Sequence, residues 1–388
     1  MRPSDNSARS RTAGVQGARP PSASTARWVP EVAGILTADQ IIDSGHAIAA
    51  VQASDGSIGW PDGHVDGWNH VECAMALSLC GLRDASRRAY EWLRANQRED
   101  GSWYMKMPPG EVNLTTESNH AAYCAVGVWH ELLVSRDEGF VERMWPTVKA
   151  AMDFVLGLQT PRGEIIWRRE EDGTPGEYAL LTGSASMYTS LRCASMLAEY
   201  LAEPQPDWEL AADQLAHAVA GHPEAFADKS RFSMDWYYPV LGGPVRGPAA
   251  FDRLEAGWGT YVVPELGVRC VSDEPWVTAA ETAELAITLE AIGDPTRALD
   301  LLDQIQRLRD PSGAYWTGWQ YVNGKHYPNE QSSYTAAAIV LAADTICGAT
   351  DASSLFRTVA ADPGTVAASG DAACGCEPVA SDQGASAG

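Results

Sequence analysis

Two kinds of apolar pattern alternate along the chain. In "DASRRAYEWLRANQ", residues 84 to 97, apolar side chains stand at 85, 89, 92 and 93, the stripe of a helix with one wet face, with Asp84 placed to cap it. In "AAYCAVGVW", 121 to 129, and "AAAIVLAA", 336 to 343, no charge occurs, and a helix apolar on all sides must be covered on all sides. The first kind predicts outer helices and the second inner ones. The order is outer 38 to 52, inner 68 to 80, outer 84 to 97, inner 117 to 133, outer 138 to 158, inner 184 to 202 and outer 208 to 220. After an irregular stretch come inner 278 to 292, outer 295 to 308 and inner 330 to 346, with 246 to 257 as a short sixth inner helix. Six outer-then-inner hairpins closed into a ring bury their inner helices without needing a sheet. The predicted fold is therefore all-α, an (α/α)6 toroid spanning residues 31 to 348, with an inserted irregular segment around 221 to 270.

The joints repeat. "QASDGSIGW" (52 to 60), "NQREDGSWY" (96 to 104) and "LQTPRGEIIW" (158 to 167) each place a glutamine at a helix end, a glycine four residues on, and a tryptophan beyond it. A looser copy is "QRLRDPSGAYW", 306 to 316. The glutamine can bond backbone groups left open at the helix end, the glycine permits the reversal, and the tryptophan packs over the joint.

A chain of 388 residues, 45% of them hydrophobic, can bury a large core. Its formal charge is −23. Residues 1 to 30 contribute five Arg and one Asp (+4), and residues 349 to 388 one Arg, four Asp and one Glu (−4), so the acidity lies in the body. Such a body repels phosphate backbones and anionic membranes, which leaves a small molecule that is neutral, or that arrives with a cation, as the expected partner, with no nucleic acid and no membrane. Residues 1 to 30 have arginines but no apolar signal core, and no stretch reaches the roughly 18 apolar residues of a span; a disordered arm and a cytoplasmic location are expected. Six cysteines are scattered singly through apolar segments, as reduced packed thiols are. Cys374 and Cys376 lie in a Gly/Ala/Ser/Asp tail, 349 to 388, that cannot build a core.

The glutamine, glycine and tryptophan repeats resemble those of the prenyltransferase and squalene-hopene (terpenoid) cyclase group of α/α toroids. That resemblance covers roughly residues 36 to 348 and implies isoprenoid transfer or cyclisation. The cyclases' Asp-x-Asp-Asp acid motif and the protein prenyltransferases' Asp-x-Cys zinc pair are both absent from the chain. His70 and Cys73, with Glu72 between them, are the nearest imitation of a metal site, and no metal is expected. "DEGFVERMWPTVKAAMDFVLGLQTPRGEIIWRREEDG" followed by "LLTGSASMYTSLRCASMLAEYL" is similar to six-hairpin glycosidases of glucoamylase type. There the general acid is a Glu directly after a Trp; here Arg168 and Arg169 separate Trp167 from Glu170 and Glu171.

In such a ring the inner helices begin at one mouth, so residues in their first turns converge. Asp66, Trp68, Asn69, Glu72, Glu117, Asn119, His120, Thr182, Ser184, Ser186, Trp276, Thr278, Glu281, Glu330 and Gln331 collect there, joined by Asp235, Trp236, Tyr237 and Tyr238 from "RFSMDWYYPVLGG". Carboxylates, amides and indoles at one mouth suit a polyhydroxylated ligand. Singly, Asp66, Glu117 and Ser184 also read as ordinary helix-start residues. The expected catalytic carboxyls are Glu330, Glu171 and Asp66. No P-loop, dinucleotide fingerprint, His-Glu-x-x-His or Gly-x-Ser-x-Gly occurs, so no cofactor is expected. The family resemblance thus implies a prenyltransferase-like or cyclase-like enzyme. The mouth residues point instead to an acid/base glycoside hydrolase, and a toroid that binds without catalysing is a third reading.

Overall fold

The computed structural model describes residues 29–107 and 113–359. Six helical hairpins follow one another: α1 (Ala38–Val51) with α2 (Gly67–Leu79), α3 (Arg83–Ala95) with α4 (Ser118–Ala122) and its continuation α5 (Cys124–Ser135), and α6 (Glu138–Leu156) with α7 (Leu181–Tyr200). Then come α8 (Pro206–Gly221) with α9 (Ser233–Leu241), α10 (Pro248–Tyr261) with α11 (Ala279–Ile292), and α12 (Pro295–Gln304) with α13 (Ser333–Cys347). The second helix of each pair is inner. In contact order these run α2, α5, α7, α9, α11, α13 and back to α2, a closed ring. The all-α toroid predicted from the apolar patterning is the observed fold.

The outer helices are half-wet, as their stripes require. In α3 only Ala85, Ser86, Ala89, Tyr90, Trp92 and Leu93 are buried, whereas α2 buries twelve of its thirteen residues. Two assignments differ from the sequence reading. The fourth inner helix is α9, inside the stretch read as irregular, where Ser233 to Leu241 are buried almost throughout. The segment read as a sixth inner helix is the outer helix α10, which buries only Ala250, Leu254 and Tyr261. A run of aromatics broken by Pro239 hid the one, and a short apolar face mimicked the other.

The joints work as a clamp. Gln52 donates from its amide nitrogen to Gly56 O (3.1 Å) and Ala85 O in α3 (2.9 Å); Gln97 does so to Gly101 O and Thr147 O in α6, and Gln159 to Gly163 O and Ala211 O in α8. One side chain thus ties its own turn to the next outer helix. In the fourth copy the equivalent position is Arg309, not Gln306: it lies four residues before Gly313, and its guanidinium donates to Gln40 O and pairs with Asp43 of α1, closing the ring. Each turn glycine has positive φ and touches that next helix. A Cβ on Gly101 would stand 1.9 Å from Ala150 O, and one on Gly313 2.4 Å from Asp43 O.

Two small antiparallel sheets, which the sequence reading lacked, rim the end where the inner helices begin. One joins β1 (Tyr104–Lys106), β2 (Asn113–Glu117) and β3 (Arg168–Arg169); the other joins β4 (Val262–Val263), β5 (Gly267–Arg269), β6 (Trp276–Thr278), β7 (Gly318–Gln320) and β8 (Lys325–His326) in that order. β2 runs into α4 and β6 into α11, so both sheets support the mouth. At the opposite end the chain continues past residue 348. A 3-10 turn, Asp351–Ser354, and α14 (Leu355–Thr358) pack on α5, α11 and α13, and Arg246 donates to Phe356 O. The expected arm, residues 1 to 30, lies outside the described residues except for its last two, as does the tail with Cys374 and Cys376 from residue 360 onward. No single helix among the described residues is long and apolar enough to cross a membrane.

The close approach at Gly101 gives a test. Gly173 also has positive φ but open space around it. Gly173→Ala is expected to cost about 1 kcal/mol from backbone strain alone, and Gly101→Ala about 3 kcal/mol because a clash is added. Urea denaturation of the two variants measures the difference; equal costs would contradict the clamp.

Candidate active site

The ring has a carboxylate floor. Glu72 on α2 and Glu284 on α11 are both buried. Glu72 Oε1 accepts from Trp68 Nε1 (2.7 Å) and from the Tyr123 hydroxyl (2.9 Å). Glu284 accepts from the hydroxyls of Tyr237, Tyr238 (3.0 Å) and Tyr334, gathering α9 and α13 onto α11. Burial disfavours the charged form and pushes both carboxyls well above the usual range; each then feels another carboxylate's charge, Asp66 on Glu72 and Glu72 on Glu284. Their donors oppose this without reversing it. A small cavity beneath is lined by both glutamates, Tyr123, Tyr238 and Phe356.

Above the floor lies a second tier of carboxyls. Asp66 caps α2, accepting from Asn69 N (2.8 Å) and from the indole of Trp60, whose ring lies 5.6 Å from Tyr334. Glu281 stands three residues before Glu284, on the same helix face and one turn nearer the mouth; it is half-buried and meets the Cys270 thiol. So α2 carries Asp66 above Glu72, and α11 carries Glu281 above Glu284, with α13 between the two helices. Glu117 precedes α4, lies 3.4 Å from His120 Nε2, and is pushed upward by burial. Asn69 accepts from Ser333 at 3.3 Å, joining α2 to α13.

The remaining residues singled out in the sequence are spread more widely. Tyr237 is part of the floor. Trp68 packs on Tyr123 and Tyr238 with ring centroids 5.5 and 5.6 Å apart. Asp235 accepts from Thr182 N and its hydroxyl, capping the start of α7 from α9. Trp236 turns outward instead: its indole donates to Arg253 O and stacks on Tyr261 of α10. Trp276 meets Tyr327 on the rim. Glu330 lies three residues before α13, half-buried, its backbone bonded to Thr317. Gln331 bonds Asp310. Glu171 is exposed at a turn tip beside the Arg168–Glu170 ion pair, 2.6 Å, and the structure does not bring it to the floor. His70 uses both ring nitrogens on backbone, Ile58 N and Ala89 O, and Cys73 contacts Asn69, so neither faces the mouth as a ligand.

Glu284 was missed in the sequence, although a charged residue inside a helix covered on all sides is its signal. The inner helices also hold buried polar atoms with no partner within the protein: Glu72 Oε2, both amide atoms of Asn119, His120 Nδ1, and the hydroxyls of Ser184 and Ser186. Such atoms are free to bond the hydroxyls of a ligand that enters the ring.

The comparisons agree. The chain is 50% identical over 333 residues, 85% of its length and 92% of the relative's, to the MMP endo-(1,4)-3-O-methyl-alpha-D-mannosidase of Mycolicibacterium hassiacum. An uncharacterized glycosyl hydrolase of Methanocaldococcus jannaschii is 26% identical over 170 residues, 41% of this chain and 26% of that protein. Among solved structures, a wild-type glycosidase superposes with a TM-score of 0.61 at 13% identity, covering 80% of this chain and 96% of that one. A D-mannose isomerase does so with 0.60 at 13%, covering 79% and 96%. These structures share the fold. No family model matches. The isoprenoid reading finds no support among these relatives, and the glycosidase likeness takes its place.

The floor makes stability pH-dependent. Glu72 and Glu284 bind protons more tightly folded than unfolded, where the ordinary value is 4.5. Between that value and neutrality the native state holds more protons than the unfolded chain, so stability falls as pH rises through the folded values. Urea midpoints from pH 5 to 8 are expected to decline, and Glu284→Gln, which keeps the shape without the charge, is expected to flatten the slope. A slope unchanged by the substitution would contradict a protonated floor.

Proposed function

Because the chain belongs to the family of the MMP endo-(1,4)-3-O-methyl-alpha-D-mannosidase, we propose that it is a glycoside hydrolase cutting within chains of α-linked, O-methylated mannose. The observation that carries this reading is the two-tier arrangement: Asp66 and Glu281 stand at the mouth on helices separated by α13, above a floor in which Glu284 is bonded by three tyrosine hydroxyls and one oxygen of Glu72 by Trp68 and Tyr123. Three of the four lower carboxyl oxygens are thus bonded within the protein. The upper ones face the space where a sugar ring enters.

Glycosidic hydrolysis needs one carboxyl to protonate the departing oxygen and a second to act on the opposite face of the ring. Asp66, held by Trp60 and Asn69, is fixed in position, which suits the base that must aim a water at the anomeric carbon. Glu281, half-buried one turn above Glu284 and bonded to the Cys270 thiol, is placed on the other side of the mouth, which suits the acid. Trp68 and Trp60 offer aromatic faces to the sugar's C–H groups. Asn119, His120 and Ser184 supply hydrogen-bonding atoms to its hydroxyls. Glu330, on the loop before α13, is then a rim residue.

Asp66→Asn and Glu281→Gln are each expected to lower turnover of a 3-O-methylmannose oligosaccharide by roughly 10² to 10⁴ with little change in its binding, since proton transfer is lost and shape kept. Glu330→Gln is expected to cost less than about tenfold. Release of reducing ends measures all three. A loss at Glu330 equal to that at Asp66, with Glu281→Gln fully active, would move the acid role to Glu330.

A further inference from the structure

We propose that the five-stranded sheet carries a second sugar-binding surface, an aromatic shelf that holds the polysaccharide beyond the point of cleavage. It is built from Trp276, Trp316, Trp319, His326 and Tyr327, and it rests on the glycosidase reading of the adjoining mouth. His326 is stacked on Trp316, ring centroids 4.2 Å apart at 7°, and meets Trp319 edge-on at 5.4 Å across the β7–β8 pair, where the two residues are in register. Tyr327, 44% exposed, stands edge-on against Trp276 at 5.1 Å. A groove runs along Trp319, Lys325, Tyr327 and Asn329 on this outermost hairpin.

Trp60 and Trp167 of the first and third repeats are half-buried and stack on His64 and Tyr178, as Trp316 does on His326, but at this joint the pair continues into Trp319 and, along the same sheet, an exposed Tyr327. Trp103, the tryptophan of the second repeat, is wholly buried and donates to Leu93 O, as a packing residue should. Trp316, from the fourth repeat, is half-buried: it packs against the core and carries the His326 ring stacked on it. Rings held at fixed angles by their neighbours cost little entropy on binding and present flat faces to sugar C–H groups. The polar groups between them, Lys325, His326 and Asn329, are donors or amides with no carboxylate among them, so the groove suits a neutral hydroxyl- and ether-bearing chain within a strongly acidic protein.

Continuity fixes the occupant. β6 carries Trp276 and runs directly into α11, whose first turn holds Glu281. Tyr327 is followed within three residues by Glu330 at the mouth, and Thr317, next to Trp316, donates its backbone N–H to Glu330 O. A chain leaving the cleft at α11 therefore passes over the shelf, and an O-methyl group widens the apolar face it lays down. An enzyme that cuts within chains needs such holds on both sides of the bond it breaks.

Trp319→Ala and Tyr327→Ala are the variants to compare, with Tyr327→Phe retaining the ring, and melting curves to verify that each is folded. Substrates are a short 3-O-methylmannose oligosaccharide, just long enough to fill the mouth, and a long one. The shelf predicts a KM for the long chain raised roughly tenfold, about 1.4 kcal/mol, with kcat and the short-chain KM unchanged, and near wild-type behaviour for Tyr327→Phe. Equal effects on both lengths, no effect on either, or a change of oligomeric state on sizing would overturn it. Should the wild-type protein cleave neither chain, the hydrolase reading fails on its own. Calorimetric titration of the long chain into wild type and Trp319→Ala then decides the shelf separately, roughly tenfold weaker binding by the variant sustaining it and equal binding refuting it.

Discussion

One amide holds each of three joints. Gln52, Gln97 and Gln159 each divide the two hydrogens of a single side-chain nitrogen between their own turn and the next outer helix. A hydrogen bond of this kind is worth only about 0.5–1.5 kcal/mol net, so the clamp is not the source of the fold's stability. Its effect is geometric. A glycine with no Cβ lets the turn touch the neighbouring helix, the amide fixes where it touches, and every inner helix then starts at a set height around the ring. Arg309 performs the same task where the last hairpin meets the first, with a longer reach and an ion pair to Asp43.

A ring of inner helices that starts level places first-turn residues from distant parts of the chain within reach of each other. It also creates a difficulty, because the centre of the ring is far from water and this chain puts two glutamates there. The tyrosines of α9 and α13 resolve it for Glu284, and Trp68 and Tyr123 for one oxygen of Glu72. Burial leaves the pair with protons bound where free carboxyls would have lost them. In the tier above, the amide of Asn119 and the hydroxyl of Ser184 have no partner within the protein, and on the proposed reading they meet a ligand beside Asp66 and Glu281.

The helical ring was legible in the sequence because charge-free stretches such as 121 to 129 and 336 to 343 must be covered, and five of the six inner helices were placed from their predominantly apolar patterns. The fourth did not: α9 is short, aromatic and interrupted by Pro239, and its burial comes from neighbours that no local pattern reports. The repeats were legible as fasteners but not as a reaction, since a clamp between hairpins serves any chemistry housed in the ring, which is how they came to suggest isoprenoid enzymes. Within the proposed site, Asp66 was singled out as a catalytic carboxyl and Glu281 only as a mouth residue, both by their positions at helix starts. Glu284 was passed over as one charge among the several of "ETAELAITLE". Glu171 looked promising only beside Trp167 in the sequence; a tight turn carries it to the surface.

The central claim is that a sugar ring sits between Asp66 and Glu281, over the tyrosine-bound floor. A crystal structure of the Asp66→Asn protein soaked with a 3-O-methylmannose oligosaccharide tests it most directly. The account predicts a glycosidic oxygen within hydrogen-bonding reach of Glu281, the side chain of residue 66 on the opposite face of the adjoining ring, and hydroxyls meeting Asn119 and Ser184. Sugar density centred elsewhere, or flanked by a different pair of carboxyls, would contradict it.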